Sequence, residues 1–250
     1  MNTHIYIQAR INSTRLPGKI LKKICGMTIL EIILERLKKV EKIDKIILVT
    51  GPKKQNSELI KEADRLNLEY FCGNEENILD RFYLAAQKFN SNVIIRITAD
   101  CPLIDFELIN HGLNIFLENK YELLCNNIPR TFPHGLDFEI FKKKHLTEMW
   151  NIKKDEFQND ELFLNTFINP IDDIFKNLSD KTYCLTNKMD LSSIRVTLDY
   201  EEDFEVIKTI FEYYNDKNPF FGLSDLIFLK KILIRINIII VSYFGINYLI

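Results

Sequence analysis

The run Gln8-Ala-Arg-Ile-Asn-Ser-Thr-Arg-Leu-Pro-Gly-Lys19 sets three cations, Arg10, Arg15 and Lys19, into one short loop, with Ser13 and Thr14 as hydroxyl donors and Gly18 as a flexible point. Guanidinium forks match phosphate oxygens, and a lysine adds a mobile point charge. Backbone N–H groups of a turn supply further anion contacts. Cations at this density suit a triphosphate. A solvated basic loop is the bland alternative, and its position directly after an apolar strand makes it the weaker one. In Arg96-Ile-Thr-Ala-Asp-Cys-Pro-Leu-Ile-Asp105, Asp100 emerges at a strand end and faces the basic loop, a placement that suits Mg²⁺ with its preference for oxygen donors and phosphates. Asp105 reads better as a helix N-cap. Arg195-Val-Thr-Leu-Asp-Tyr-Glu-Glu-Asp203 offers Asp199 as a second carboxylate for the same ion, although taken alone it would read as a cap. In Thr131-Phe-Pro-His-Gly-Leu-Asp-Phe-Glu139 a tight turn precedes Asp137 and Glu139, expected as an exposed pair able to bind sugar hydroxyls. His134 reads equally as a turn residue or a ligand.

These groups need a scaffold. Ile5–Ala9, Lys45–Thr50, Leu68–Phe71 and Val93–Ile97 read as strands, the second and fourth as buried types. Between them, Thr28-Ile-Leu-Glu31 is a capping-box pattern opening a helix to about Val40, Ser57–Leu66 reads as a helix, and Asn74 is expected to cap one through Ala86. Alternation of this kind predicts a parallel sheet covered on both faces, with ligands beyond the carboxyl ends of its strands. Further on, Asp105–Asn119, Lys142–Trp150, 155–167 and Glu201–Tyr214 read as helices. Leu123–Asn126, Leu136–Phe141 and Ile194–Leu198 read as extended segments.

The 250 residues carry a net charge of −2, which argues against a nucleic-acid binder. Residues 1–40 nevertheless hold eight basic residues against Glu31 and Glu35, so an anion site belongs near the N-terminus. Five widely spaced cysteines without a CxxC pair indicate reduced, buried thiols rather than zinc or disulfides. Met1 is followed by polar Asn2 and Thr3 and only a short apolar run, so no signal peptide is expected and the cytoplasm is the default compartment. No linker is visible over 1–231, which reads as one domain. The segment 232–250 is apolar, with Arg235 its only charge. Packing on the domain or on a partner subunit, as in a homodimer, is favoured for it, ahead of a disordered or aberrant C-terminus and of membrane contact.

Together the motifs resemble the cytidylyltransferase family of the spore-coat polysaccharide type and, more distantly, the CMP-Kdo and CMP-sialic acid synthetases. The likeness runs from about residue 3 to 230 through QARINSTRLPGKIL, Gly73–Arg81, RITADCPLID, PRTFPHGLDFEIF and LDYEEDFEVI. It implies a GT-A-like (Rossmann-like) α/β nucleotidyltransferase fold with a mainly parallel sheet flanked by helices. The implied reaction joins CTP to a small sugar, of the acidic 2-keto-3-deoxy kind, giving a CMP-sugar and pyrophosphate for surface polysaccharide. By resemblance, Arg10 and Lys19 hold the triphosphate with Arg15 close by. Gln8 and Ala9 line the nucleotide pocket near Ser13, and Gly73, Asp80 and Arg81 border the nucleotide or ribose. Asp100 and Asp199 bind Mg²⁺, and Asp100 is also a catalytic candidate. Arg130, His134, Asp137 and Glu139 fall on the sugar side.

Two departures stand out. Tyr200-Glu201 replaces a frequent Thr-Pro pair, and Asn159–Leu164 replaces a frequent Arg-Glu-His-Val-Thr-Pro run. An altered acceptor pocket is therefore expected. Two other readings compete. A GT-A glycosyltransferase would consume a nucleotide sugar, but Asp100-Cys101-Pro102 lacks the second aspartate of a D-x-D pair. A nucleotide-binding but inactive partner subunit would account for the altered run and the apolar tail.

Overall fold

Apolar runs too short for helices and bounded by turn residues become the strands. In the computed structural model, which describes residues 1–13, 15–153 and 181–229, β1 (Thr3–Gln8), β4 (Lys45–Thr50), β5 (Glu69–Cys72) and β6 (Val93–Thr98) pair in parallel in the order β5-β4-β1-β6. β8 (Glu139–Lys142) joins β6 antiparallel, and β7 (Leu123–Cys125) and β9 (Thr182–Cys184) complete a seven-stranded sheet. A small hairpin, β2 (Lys23–Ile24) and β3 (Met27–Thr28), turns through Cys25 and Gly26, both at positive φ.

Both faces of the sheet are covered, so successive residues of β1 from Thr3 to Ile7 are buried. Ile5 and Ile7 face one cluster with α1 (Ile29–Leu37), α2 (Ser57–Arg65), α4 (Phe106–Glu118) and α6 (Glu201–Asn215). Tyr6 faces the other cluster with α3 (Ile78–Lys88) and Leu146 of α5 (Lys143–Lys153). Capping follows the sequence at two helices. Thr28 accepts from the Glu31 N–H at the start of α1, and Asp105 accepts from the N–H groups of Glu107 and Leu108 at the start of α4.

Several expectations are corrected. Asn77, not Asn74, caps α3; Asn74 instead closes its own turn onto the N–H groups of Glu76 and Asn77. The helix from Thr28 ends at Leu37, short of Val40. Ile194–Leu198 forms no strand, because only Arg195 bridges to the sheet side, at His134. Cys101 and Cys125 are buried, but Cys25 is exposed and Cys72 and Cys184 are half-buried, all as free thiols. The expected helix over 155–167, the Asn159–Leu164 run, the hydroxyl of Thr14 and the tail 232–250 lie outside the described residues. No helix among the described residues is long and apolar enough to cross a membrane.

Candidate active site

Chain order places the crevice. β1 is followed by β4 on one side, whereas β6 lies on its other side, so the loops leaving β1 and β6 diverge. Gln8 and Thr98 are register partners, and both loops start at the same carboxyl edge of the sheet.

The loop after β1 closes on itself. The Ile11 carbonyl accepts from the N–H groups of Ser13 and Gly18, each at 3.0 Å, and Gly18 sits at φ 69°. A residue with a Cβ is strained in that left-handed conformation. The Ser13 hydroxyl makes only a long contact to the Leu16 N–H, 3.4 Å. Arg10 is exposed and makes no hydrogen bond or ion pair among the described residues. Lys19 Nζ donates to the Leu198 carbonyl and to Asp199 Oδ1 (3.2 Å). Arg15 donates to Asp199 Oδ1 (2.8 Å) and lies over the Tyr200 ring at 5.3 Å.

The second half of the chain reaches the same place by backbone contact. The Leu198 N–H donates to the Asp100 carbonyl at 2.8 Å, and the Thr197 hydroxyl donates to it at 3.1 Å. The two aspartates expected to share an ion therefore stand at one edge, and both carboxylates act electrostatically on Arg15. Arg195 adds a third cation to Asp199 (3.1 Å) and also holds Asp203. Burial pulls the Asp199 carboxyl upward, but Arg195, Lys19 and Arg15 outweigh it and hold it below the usual carboxylate range. Asp100 has a carboxylate contacted only by the Cys101 thiol, at 3.6 Å, among the described residues.

The donor chemistry fits Mg²⁺ in a particular way. Two carboxylates offer hard oxygens, and Mg²⁺ commonly takes one or two carboxylates and completes its octahedron with phosphate oxygens and water. No group of three or more His, Cys, Asp or Glu residues able to hold a metal occurs among the described residues. A cation here would be shared with the nucleotide rather than caged by protein.

Around this edge, Ala9 is buried and its N–H donates to the Val49 carbonyl. Gln8 Oε1 accepts from Arg96 Nε (2.9 Å), and Arg96 Nη1 donates to Glu139 Oε2 (3.0 Å), a chain of side chains across β1, β6 and β8. Arg81 is 2% exposed, and its Nη1 donates to the carbonyls of Asn74 and Glu75. Burial lowers it to about 10. Gly73 packs on it, since a Cβ there would meet Arg81 Cγ at 2.8 Å. Asp80 accepts from Trp150 Nε1 (2.9 Å), which pins α3 to α5.

On the far wall, Arg130 forks onto Asp137 with contacts of 2.5 and 3.1 Å. His134 shares its backbone with Ile194 and Val196, and its Nδ1 lies 3.2 Å from Arg195 Nη1. The expected exposed carboxylate pair is corrected here. Glu139 is 4% exposed and held by Arg96 and Asn127, and Asp137 is largely covered and held by Arg130. Burial pushes the Glu139 carboxyl up. The alternation in 136–141 is genuine, but β8 begins only at Glu139, and the two core clusters cover its faces, with Phe138 and Ile140 in one and Phe141 against the other.

Three participants were not singled out from the sequence as site residues. Arg195 stands four before Asp199, a spacing that signals an ion pair only once the backbone path is known. Arg96 looked like a strand residue. Asn56 stands one residue before the helix read over Ser57–Leu66, and nothing local marks it as part of the site.

The model of the family described as "Cytidylyltransferase" matches residues 5–215. An uncharacterized Methanocaldococcus jannaschii protein, MJ1063, is 33% identical over 228 residues, 85% of this chain and 90% of that protein. The spore coat polysaccharide biosynthesis protein SpsF of Bacillus subtilis is 27% identical over 234 residues, 91% of this chain and 93% of that one. The solved structure of a cytidylyltransferase from Leptospira borgpetersenii aligns with a TM-score of 0.82 at 30% identity, covering 99% of this chain and 100% of that one. On the strength of the matched span and of the strand-end cluster of Arg10, Lys19, Asp100 and Asp199, the chain belongs to the cytidylyltransferase family.

Proposed function

We propose that the protein activates an acidic sugar of the 2-keto-3-deoxy class with CTP, giving a CMP-sugar and pyrophosphate for surface polysaccharide. The observation that supports this most is the meeting of the Arg10–Lys19 loop with Asp100 and Asp199 at one strand edge. Arg10, exposed and without a hydrogen bond or ion pair among the described residues, would take a phosphate oxygen directly. Lys19 and Arg15 would exchange part of their hold on Asp199 for the phosphates. Asp100 and Asp199 would hold Mg²⁺, which when bound supplies charge neutralisation and aligns the attacking and leaving oxygens. Arg81, with its carbonyl partners, fixes the loop 73–77 beside the nucleotide.

The chemistry is an in-line displacement. A sugar hydroxyl oxygen bonds to the α-phosphorus while the bridge to the β-phosphate breaks, pyrophosphate departs, and the hydroxyl proton passes to water. Positioning and charge neutralisation carry such a reaction, so no side chain is required as a general base. The guanidinium groups of Arg130 and Arg195, each already paired with a carboxylate, would exchange part of that pairing for a sugar carboxylate.

The test is pyrophosphate release with Mg²⁺, comparing the four ribonucleoside triphosphates against a pool of 2-keto-3-deoxy sugar acids. A signal confined to CTP and dependent on the pool is the expected result. Release with neutral sugars alone would overturn the acceptor class. CTP binding without turnover on any acceptor would favour an inactive partner subunit.

A further inference from the structure

Asn56 stands at the N-cap of α2, where asparagine ordinarily accepts from the first amides of its own helix. It makes no such bond. Its fully buried amide is spent elsewhere, in three directions. Oδ1 accepts from the Ile11 N–H at 3.0 Å. Nδ2 donates to the Pro52 carbonyl at 3.2 Å and to Glu75 Oε2 at 3.3 Å. Ile11 is the residue on whose carbonyl the loop after β1 closes, through Ser13 and Gly18. Glu75 lies in the turn whose carbonyls hold Arg81. One side chain thus ties together the loop after β1, the turn after β4 and the loop after β5. Gly51 makes room for this bracket. A Cβ there would fall 1.5 Å from Glu75 Oε2 and 2.9 Å from Asn56 Nδ2.

We infer that Asn56 is a positioning residue for the nucleotide, setting the separation between the phosphate-binding loop and the loop 73–77. The inference rests on reading this edge as the nucleotide site. Asn56 touches no phosphate itself. It fixes the backbone that carries Arg10 and the turn that carries Glu75, so the ligand meets loops already ordered rather than loops it must order. Its loss should weaken binding of ground state and transition state alike, which appears in KM and not in kcat.

The experiment measures kcat, KM for CTP and KM for the acceptor in the wild type, Asn56→Ala, Glu75→Gln and Gly51→Ala. Calorimetric CTP binding and thermal melting accompany it. Asn56→Ala is expected to raise KM and Kd for CTP about tenfold, the scale of a lost hydrogen bond or two. Turnover at saturating CTP and the acceptor KM should stay at wild-type values. Glu75→Gln, whose amide oxygen still accepts from Nδ2, should raise KM for CTP by less than Asn56→Ala does. Gly51→Ala displaces Glu75 and crowds Asn56 Nδ2 while leaving Asn56 Oδ1 to accept from Ile11, and should raise the same KM by less.

A lowered melting temperature with unchanged CTP affinity in Asn56→Ala would make Asn56 merely structural and overturn the inference. Equal losses in kcat and acceptor KM would overturn it as well. Should Asn56→Ala fail to fold, Gly51→Ala decides alone, and an unchanged CTP affinity there would sink the bracket. A wild type that binds another nucleoside triphosphate in place of CTP moves the same comparison to that nucleotide, so the base assignment fails and the positioning role is still tested. A wild type that binds none overturns both.

Discussion

The two walls of the crevice handle charge differently. On the wall built by β1, β4 and β5, exposed Arg10 makes no hydrogen bond or ion pair among the described residues, so its positive charge is left for a ligand, while buried Arg81 is held by the carbonyls of Asn74 and Glu75 and feels the Glu75 carboxylate. On the wall built by residues 130–139 and 195–203, cation meets carboxylate throughout: Arg130 with Asp137, Arg96 with Glu139, and Arg195 with Asp199 and Asp203. The first wall would suit a polyanion that arrives with its own charge. The second is self-neutralised, and a substrate must exchange with bonds already formed. Asp199 is the seam, because its partners Arg15 and Lys19 come from the first wall and Arg195 from the second.

The comparison is broken most severely at Arg10. Arg10→Ala is expected to lower kcat/KM for CTP by about 10²- to 10³-fold, the scale of losing one preorganised donor to developing charge. Its stability should stay within about 0.5 kcal/mol of wild type, because no folded-state partner is lost. A clear drop in melting temperature would contradict the free-cation picture. At the seam, Asp199→Asn should lose activity and also about 1–3 kcal/mol of stability, since charged hydrogen bonds from three cations are weakened together. Denaturant unfolding beside the activity assay checks both halves of that claim.

On the second wall, Arg130→Lys keeps the charge but not the fork. It should raise the acceptor KM while leaving KM for CTP alone, at a stability cost under about 1 kcal/mol. The smallest effect is in pH. Asp199 and Asp203 are pulled up by burial, yet the bonds and charge of Arg195, joined by Lys19 at Asp199, hold both below the usual range. A depressed carboxyl contributes stability above its unfolded value near ~4 and loses it as pH falls through the folded value. Thermal melting between neutral pH and pH 3 should therefore steepen below about 4, and Asp203→Asn should flatten that fall. Glu139, raised by burial, works in the opposite sense and gains on acidification.

The first wall was readable because its signals are local. Apolar runs gave β1, β4, β5 and β6, Thr28 and Asp105 capped the helices expected of them, and basic residues followed a strand directly. The second wall was misread where the answer depended on distant chain. Asp137 and Glu139 alternate as an exposed pair would, but Arg130 holds the first, and Arg96 and Asn127 hold the second. Ile194–Leu198 has the apolar content of a strand, yet it is held by His134 and the Asp100 carbonyl. Asn56 was invisible for a related reason. Its position predicts a cap, and only the approach of Ile11 and Glu75, 45 and 19 residues away, diverts it.

Arg36 of α1 carries a consequence for where this folding unit ends. Its guanidinium, 1% exposed, donates to the carbonyls of Leu103, Ile104, Pro219 and Phe221 and lies 4.9 Å from the centre of the Phe221 ring. Asp105, the cap of α4, also accepts from the Leu223 N–H at 2.7 Å. A chain trimmed at residue 215, where the family match stops, would leave an interior cation short of acceptors and strip Phe221 and Leu226 from the core. Unpaired buried charge is among the costliest defects a fold can carry. The smallest autonomous piece should thus extend through Leu226, and truncations on either side of that point should separate folded from aggregating material.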